Sequence, residues 1–280
     1  MTFMKKTALN AFALMLLITA IACNQEKPIQ NAVPPPVEVK PTASATPVKL
    51  PAEKADSNAK FVYLTFDDGP LPGSEAVNQL VLTHKFKASV FVVGKHKNNG
   101  RNTARALHDY VINPYIDVCN HSFTHANNQY DKFYSKPDSA VADIVKNEAD
   151  LNLTLKTVRL PGRQVWVMPD RDLNMKVSSA NKTCEALKAQ GFKIIGWDVE
   201  WANKGTVPKE TPEEMMAKID NLFKTDMTFT RNHLVLLAHD PMFSKPEGQE
   251  QLVKLVGFLR AKGYILESMR HYPEKDLAEF

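Results

Sequence analysis

The sequence predicts a distorted (β/α) barrel of about seven parallel strands, TIM-barrel-like, with helices packed outside the sheet. After residue 60, short apolar segments rich in β-branched and aromatic residues alternate with amphipathic stretches, as expected for strand–helix units. The apolar segments are near-continuous, which indicates strands buried on both faces of a parallel sheet. Because every strand is predicted to be buried, a barrel is favoured over an open sheet.

The predicted strands and helices follow one another along the chain. The strands are Phe61–Phe66, Ala88–Gly94, Tyr115–Cys119, Thr157–Leu160, Phe192–Trp197, His233–Ala238 and Tyr264–Glu267. The helices between and after them are Ser74–His84, Asn102–Tyr110, Ser139–Leu155, Ser178–Gln190, Pro212–Phe223 and Glu247–Lys262. In α/β barrels the chemistry lies at the C-terminal ends of the strands, so reactive residues should collect there.

Residues 1–22 are predicted to be a signal peptide. Lys5 and Lys6 precede an apolar run that is shorter than a membrane span. The small residues before Cys23 make the segment similar to a bacterial lipoprotein signal, in which this cysteine is lipidated and becomes the new N-terminus. The alternative is a plain secretory signal cut near Ala22. Either version predicts export, and the first predicts a periplasmic or cell-envelope lipoprotein held to a membrane by its lipid.

Residues 23–58 are predicted to be a proline-rich linker that follows the lipidated cysteine, with the folded domain at residues 59–280. The net charge of +4 and the absence of a basic stripe argue against nucleic acid as a partner. The three cysteines form no metal-binding cluster in sequence. Cys119 and Cys184 could pair in an oxidising compartment, which the sequence leaves open. A monomer is expected, although the sequence does not fix the oligomeric state.

Asp67 and Asp68 lie side by side where the first predicted strand ends, before Gly69 and Pro70. At a strand end the backbone can turn and bring both carboxylates to one place. Two like charges this close raise one pKa unless a cation or a basic partner intervenes. The alternative is ordinary turn chemistry at an Asp-Gly pair.

His121 and His125 follow the third predicted strand. Histidines at i and i+4 lie on the same side of a helical turn, which is the spacing that two imidazoles need to share one metal. The alternative is a loop with surface imidazoles. Combined with a carboxylate from the first strand end, a two-histidine, one-carboxylate metal site is the better interpretation.

Arg159 and His239 stand at the ends of two further predicted strands. Beside the paired carboxylates, the Arg159 guanidinium would hold one of them ionised and oriented. Its alternative is a salt bridge at the rim, which contributes little. His239 leaves an apolar strand at the reactive end and is a candidate proton donor, although a buried structural histidine is commoner.

Asp198 and Glu200 lie between Trp197 and Trp201 at the end of the fifth predicted strand. Acids between tryptophans suit a groove that stacks sugar rings, and either carboxylate could tune a nearby histidine. The alternative is a pair of core tryptophans with acids facing the solvent.

Five short segments at strand ends resemble the motifs of the polysaccharide deacetylases of carbohydrate esterase family four. They are TFDDGP at 65–70, HSFTH at 121–125, RLPG at 159–162, WDVEW at 197–201 and LLAH at 236–239. The resemblance covers about residues 60–267, which is the whole predicted domain. Two segments depart from the family pattern. The aromatic residue usual after the third motif's proline is absent, because Gly162 and Arg163 follow directly, and the fourth motif lacks a downstream Asp-Trp pair.

The resemblance implies a metal, zinc or another divalent transition metal, held by Asp68, His121 and His125. Asp67 would act as general base towards a water molecule, oriented by Arg159. His239, protonated, would donate a proton to the leaving amine.

The resemblance also implies the rest of the site. A backbone N–H near Gly162 would stabilise the oxyanion, and Trp197 and Leu237 would shape the acetyl pocket. Asp198 or Glu200 would keep His239 protonated, and the residues do not decide between them.

The function implied is metal-dependent hydrolysis of the N-acetyl groups of a polysaccharide that contains N-acetylglucosamine, releasing acetate. This would be a hydrolase acting on linear amides. Two alternatives remain open at this point: a polysaccharide O-acetylesterase that uses the same metal site, and a non-catalytic glycan-binding lipoprotein whose site has partly decayed.

Overall fold

The computed structural model describes residues 48–274, so the predicted signal peptide, Cys23 and most of the predicted linker lie outside the described residues. The strands are β1 Phe61–Asp67, β2 Ala88–Val92, β3 Ile116–Asn120, β4 Thr157–Val158, β5 Trp166–Val167, β6 Asp172–Leu173, β7 Lys193–Ile194, β8 Val199–Glu200, β9 Asn203–Lys204, β10 Val207–Pro208, β11 His233–His239 and β12 Ile265–Leu266. The α-helices are α1 Ser74–His84, α2 Arg101–Ile112, α3 Tyr130–Tyr134, α4 Pro137–Asp150, α5 Asn181–Ala189, α6 Pro212–Lys224 and α7 Pro246–Ala261.

The main sheet is mostly parallel and has the order β6-β5-β7-β4-β3-β2-β1-β11-β8. Along one edge of β1, its first two residues pair with β12 and its last three residues pair with β2. All seven predicted strands are present and pair in parallel with one another, and β7 also pairs antiparallel with β5. The curled sheet with helices packed on it confirms the predicted distorted (β/α) barrel.

The sequence analysis missed several short elements. The antiparallel hairpin β5–β6 extends one end of the sheet, and β9–β10 forms a separate hairpin. The predicted helix Ser139–Leu155 begins two residues earlier and ends at Asp150, because Asn152 takes a left-handed φ of 50° that no α-helix can continue. Each strand of the two missed hairpins has only two residues, which is too short for a hydrophobic period to identify.

The two faces of β1 have different roles. Val62, Leu64 and Phe66 face the large hydrophobic core between the sheet and its helices. Tyr63 faces the interior of the barrel, packed with a second apolar cluster. Since side chains alternate along a strand, Thr65 and Asp67 continue this interior face towards the C-terminal end. The barrel interior therefore changes from apolar to polar at the strand ends, where the reactive residues are expected.

Residues 48–53, which the sequence analysis assigned to the linker, pack against the base of the domain, at the N-terminal ends of the strands. We call this segment the basal strap. The Lys49 ammonium donates to the carbonyl oxygens of Val111, Asn113 and Ile116, at 3.0, 2.8 and 2.6 Å. These bonds attach the chain to the packed domain about ten residues before the predicted boundary at residue 59.

A buried ion pair fixes the other end of the basal strap. Lys87 and Glu267, both almost fully buried, lie 2.9 Å apart, and the Glu53 carboxylate approaches Lys87 to 3.3 Å. The Glu53 amide also donates to Glu267 at 3.0 Å. Sequence analysis had no signal for these contacts, because a single lysine or glutamate in a proline-rich stretch is usually solvated.

Cys119 and Cys184 are both buried free thiols, so the disulfide left open by the sequence is not formed. Within residues 48–274, none of the helices has the length and apolar character that crossing a membrane requires.

Candidate active site

The end of β1 brings two adjacent carboxylates to one pocket. Consecutive side chains on a strand point to opposite faces, but Asp68 takes a left-handed φ of 74°, which interrupts the alternation. Both Asp67 and Asp68 line the same pocket as a result. Asp67 is buried, whereas Asp68 remains partly exposed.

Arg159 lies behind the pocket and is fully buried beside Asp67. Its guanidinium donates to Asp67 Oδ1 at 2.8 Å and to Thr65 Oγ1 at 2.9 Å. Its other donors reach the carbonyl oxygens of Ile195 and Gly196. The alternative of a salt bridge at the rim is therefore wrong: the pair is desolvated, and every donor nitrogen of the guanidinium has an acceptor, which fixes the Asp67 carboxylate in one orientation.

The loop that carries the two histidines is not helical. Ser122 and His125 have left-handed φ values of 65° and 54°, so the i, i+4 spacing does not correspond to a helical turn. The histidines still meet, with ring centroids 5.1 Å apart. The Asp143 carboxylate accepts from the amides of Phe123 and Thr124 and thereby holds the loop against α4.

Hydrogen bonds on the outer side of each imidazole decide which nitrogen faces the pocket. His121 Nδ1 lies 2.8 Å from the Arg159 carbonyl oxygen, and His125 Nδ1 lies 2.9 Å from Asn128 Oδ1. Both partners are acceptors, so each Nδ1 carries the proton. In the neutral imidazoles, each Nε2 then presents a lone pair to the pocket.

Three lone-pair atoms consequently converge on one point. The Nε2 atoms of His121 and His125 lie 3.5 and 3.1 Å from Asp68 Oδ1, and the donor atoms of the three residues all lie within 4.8 Å of one another. Asp68 Oδ1 is buried and receives no conventional hydrogen bond. Two nitrogens and one carboxylate oxygen with no proton between them fit a metal cation.

Electrostatics at this cluster favour the charged carboxylate. Burial raises the pKa of Asp68, but the two neighbouring imidazoles of His121 and His125 outweigh it and hold that pKa below its ordinary value. Burial lowers the pKa of His121, and the carboxylates of Asp67 and Asp68 reverse the effect and raise it. A site that stabilises an anion among electron-pair donors is suited to a cation.

The pocket around the cluster has a volume of about 360 Å³. It is lined by Asp67, Asp68, His121, His125, Tyr130, Leu160, Gly162, Gln164, Trp197, Glu200, Leu237 and His239. All predicted site residues of the domain line it except Arg159, which supports it from behind, and Asp198. Gly162 takes a left-handed φ of 64° in the turn after β4.

Asp198 and Glu200, between which the sequence could not choose, have different surroundings. The Asp198 carboxylate accepts from the amides of Phe229 and Val235, at 2.6 and 2.7 Å. Burial raises its pKa to about 7. Its carboxylate thus braces the start of β11, away from the pocket, and Glu200 is the one of the two acids whose side chain lines the pocket.

His239 ends β11 directly beside Asp67, since the two residues are partners in the parallel register of β1 and β11. Its ring lines the pocket. Within the part of the chain that the structure describes, the buried Nδ1 atom of His239 has no hydrogen-bond partner. This differs from His121 and His125, whose outer nitrogens are both held.

Asp240, the residue after His239, connects the two strand-end loops. Its carboxylate is fully buried and accepts from the Ser74 and Tyr110 hydroxyls, the latter at 2.9 Å. A Cβ added at Gly69 would lie 2.4 Å from this carboxylate, so the loop of Asp67 and Asp68 packs directly on it. Burial raises the pKa of Asp240 to about 7.

Sequence reasoning missed Tyr130, Gln164 and Leu160 in the pocket and Asn128 behind His125. Tyr130 and Asn128 come from the segment after the second motif, for which no strand or long helix is predicted. Leu160 belongs to the third motif, RLPG. As a strand-end neighbour of Arg159, it could have been found from the expected clustering of site residues at strand ends.

Comparison with known proteins agrees with this geometry. The family model described as polysaccharide deacetylase matches residues 54–196, just over half of the chain. A chitooligosaccharide deacetylase from Rhizobium leguminosarum bv. trifolii is 22% identical over 196 residues, which are 69% of this chain and 77% of that protein.

Solved structures share the fold at low sequence identity. The catalytic domain of a peptidoglycan N-acetylglucosamine deacetylase from Eubacterium rectale superposes with a TM-score of 0.56 at 19% identity, over 80% of this chain and 96% of the other. A family-four esterase from Streptococcus mutans gives the same TM-score at 20% identity, over 75% and 86% of the two chains. With the family match and the strand-end pocket, these comparisons show that the chain belongs to the polysaccharide deacetylase family.

Proposed function

We propose that the protein is a metal-dependent deacetylase that removes N-acetyl groups from a polysaccharide containing N-acetylglucosamine and releases acetate. The observation that carries the proposal is the convergence of Asp68 Oδ1 and two imidazole Nε2 atoms beside a buried, arginine-held Asp67. A cation site next to a fixed carboxylate is an arrangement suited to the hydrolysis of an acyl group.

The metal would be held by Asp68, His121 and His125, and we propose zinc, because two imidazoles and one carboxylate with open positions suit it. When bound, such a cation polarises the acyl carbonyl and lowers the pKa of water. The hydrogen bonds from both Nδ1 atoms to fixed acceptors would hold the ligands in place before the cation arrives.

Asp67 would be the general base. The attacking water oxygen forms a bond to the acyl carbon, and Asp67 takes the proton that the water loses. Arg159 would hold this carboxylate in place through the 2.8 Å contact.

His239 would be the general acid. Breakage of the carbon–nitrogen bond leaves an amine that needs a proton, and His239 lies next to Asp67 in the β1–β11 register, on the side of the pocket that Glu200 and Leu237 also line. The Glu200 carboxylate is the acid that would favour the protonated imidazole. Asp198 is engaged by backbone amides and is not proposed for this role.

The remaining wall would hold the acetyl group. Gly162 lines the pocket, and its N–H makes no hydrogen bond to the backbone of the described residues, so it is available to the developing oxyanion. Leu237 and Trp197 would enclose the acetyl methyl group.

The polysaccharide is proposed to be an exported or cell-envelope glycan. The predicted signal and Cys23 support an exported lipoprotein, and the relatives named for chitooligosaccharide and peptidoglycan substrates support a glycan built on N-acetylglucosamine.

A second candidate is a polysaccharide O-acetylesterase that uses the same residues. The unpartnered Nδ1 of His239 favours it, because nothing among the described residues holds this imidazole protonated through that atom. An alkoxide leaves with less help from an acid than an amine does, so an ester substrate would tolerate a weaker proton donor.

The test is acetate release by the purified protein from a panel of N-acetylated and O-acetylated glycans, with chelator and with zinc restored. We expect chelator-sensitive release from an N-acetylated polymer. Release only from O-acetyl esters would move the assignment to the esterase. Silence across the panel with glycan binding intact would indicate a non-catalytic binding protein.

Asp67→Asn is the variant that tests the mechanism. We expect turnover to fall by about 100-fold or more while zinc still binds, because Asp67 is proposed as a base and not as a ligand. Loss of zinc from this variant would instead place Asp67 among the ligands. Asp226→Asn is a matched control, since Asp226 is 61% exposed and outside the pocket.

A further inference from the structure

The turn after β4 leaves a gap in the pocket wall that no side chain of its own can fill. Gly162 has no side chain, and its φ of 64° disfavours any replacement. A Cβ built at this position would lie 2.9 Å from the Tyr130 ring, closer than real Cβ atoms approach. The Tyr130 ring is therefore packed directly on the Gly162 backbone.

An unusual backbone brings Tyr130 to this place. His125, Ala126, Asn127 and Asn128 all have left-handed φ values, between 47° and 57°. Alanine rarely adopts this region because its Cβ crowds the backbone there, so packing elsewhere must offset the strain. The run turns the chain back towards the pocket, where α3 begins at Tyr130.

Helix α3 is also attached to the Gly162 turn through its other side chains. The Tyr134 hydroxyl donates to the Pro161 carbonyl oxygen at 2.9 Å. Arg163 contacts Asp131 at 2.6 Å and stacks on the Tyr134 ring. Three residues of one short helix thus contact the turn, which makes the position of Tyr130 a defined feature of the pocket.

The Tyr130 side chain has an open side as well as a packed one. Its ring meets His125 edge to face, with centroids 5.8 Å apart, and lines the pocket together with Trp197. The ring is only half-buried, and its hydroxyl makes no hydrogen bond to any described residue. A phenol with one face packed and its polar end unpartnered in a pocket is typical of a ligand contact.

We propose that Tyr130 is a substrate-contacting residue that determines glycan affinity. Its ring supplies the wall that position 162 lacks and packs against the sugar that carries the acetyl group, and its hydroxyl donates a hydrogen bond to that sugar. This inference rests on the proposed function only in taking a glycan as the ligand.

The competing explanation is that Tyr130 merely supports the His125 ring. The two explanations differ in what they predict for the metal. A support for His125 would change zinc affinity, because His125 is a proposed ligand. A substrate contact would change glycan binding and leave zinc affinity unchanged.

The experiment compares Tyr130→Ala and Tyr130→Phe with the unchanged protein, using chitopentaose as the glycan probe. Three quantities are measured: kcat and KM for acetate release, zinc affinity by competition with a chelating dye, and chitopentaose binding in an Asp67→Asn background, which prevents turnover. Tyr115→Phe is the matched control, since Tyr115 packs at the start of β3, at the base of the barrel.

We expect Tyr130→Ala to weaken chitopentaose binding and lower kcat/KM by roughly tenfold to a hundredfold, mostly through KM. Tyr130→Phe, which removes a single oxygen atom and should fold normally, is expected to lose about threefold to tenfold. Zinc affinity should stay within about twofold in both variants, and Tyr115→Phe should behave as the unchanged protein.

The proposal is overturned if both Tyr130 variants bind chitopentaose as well as the parent, or if zinc affinity falls in step with activity. Failure of the proposed function gives a different result, which is no acetate release by the unchanged protein. Chitopentaose binding then decides alone: weaker binding by the Tyr130 variants supports the inference, and equal binding or none by the parent overturns it.

Discussion

The two sides of the pocket differ in how firmly their polar groups are held. On the ligand side, formed by Asp67, Asp68, His121 and His125, Arg159 holds the Asp67 carboxylate and fixed acceptors hold both imidazole Nδ1 atoms. On the acid side, formed by Trp197, Glu200, Leu237 and His239, the imidazole Nδ1 has no partner among the described residues.

The fold thus prepares only part of the chemistry in advance. The imidazoles that must meet a cation are oriented by the scaffold, so their geometry costs little reorganisation during reaction. On the acid side, the orientation of the His239 imidazole depends on a half-exposed wall and on the ligand that binds against it.

Removal of the arginine on the ligand side should have the largest effect. Arg159→Met leaves the Asp67 carboxylate buried without its partner, and we expect the free energy of unfolding to fall by about 3–5 kcal/mol. Activity should be lost as well. Urea unfolding measures the change. Arg163→Met, which breaks a pair with the exposed Asp131, should cost no more than about 1 kcal/mol. Equal losses of unfolding free energy in the two variants would mean that the buried Arg159–Asp67 pair is no more important to stability than an exposed one.

The next effect concerns the outer partner of His125. Asn128→Gly keeps the left-handed backbone but removes the acceptor of the Nδ1 proton, so zinc affinity should fall by roughly tenfold to a hundredfold. Asn127→Gly is the control, because Asn127 has a similar φ but contacts Lys95 instead of a histidine. Competition with a chelating dye measures both. If the two glycine variants bind zinc alike, the ligand side is not held in the way that we describe.

Asp240 lies where the two sides meet and predicts a pH dependence of stability. Burial raises its pKa to about 7 in the folded protein, above the ordinary value of 3.8. Between these values the folded state holds a proton that the unfolded state has released. The stability contribution is therefore full below about pH 4 and is lost as the pH rises through about 7, by up to about 1.4 kcal/mol per pH unit.

Asp240→Asn removes this proton uptake and should make the unfolding free energy flatter between pH 5 and 7. Urea unfolding of both proteins at the two pH values gives the difference in slope. Asp198 also has a raised pKa and adds a slope of the same sign, but it is present in both proteins and cancels in the comparison. Parallel pH profiles would mean that Asp240 is ionised in the folded protein.

The smallest effect is expected on the acid side. Glu200→Gln removes the only acid proposed to favour protonated His239, and because Glu200 is exposed the loss in kcat for an amide substrate should be at most about fivefold. The same change should leave an ester substrate nearly unaffected. Rates on matched N-acetyl and O-acetyl oligosaccharides test this. A loss of 100-fold or more would show that the acid side is as strongly organised as the ligand side.

The site residues that could be predicted from the sequence are those whose position follows from the end of a single strand. Asp67, His121, Arg159 and His239 each follow a buried apolar strand, and parallel strands deliver such residues to one rim. Contacts that depend on a turn of the backbone could not be predicted. The Asp198 carboxylate, for example, accepts hydrogen bonds from the backbone amides of Phe229 and Val235, which lie far from it in the sequence.

Tyr130 could not be predicted for a related reason. Its position depends on four consecutive left-handed residues and on the missing side chain of Gly162, and neither signal is visible in a hydrophobic pattern. The loop histidines were predicted as neighbours for a reason that proved wrong, since their spacing belongs to a turn and not to a helix.

The basal strap has a practical consequence for handling the protein. The chain enters the domain at the N-terminal ends of the strands, and β1 spans the distance to the pocket, about 20 Å for its seven residues. A fusion partner or a solid support joined ahead of residue 48 would therefore leave the pocket mouth facing the opposite way. Cutting the chain at residue 59 would instead delete Lys49 and Glu53 and expose the buried pair beneath them.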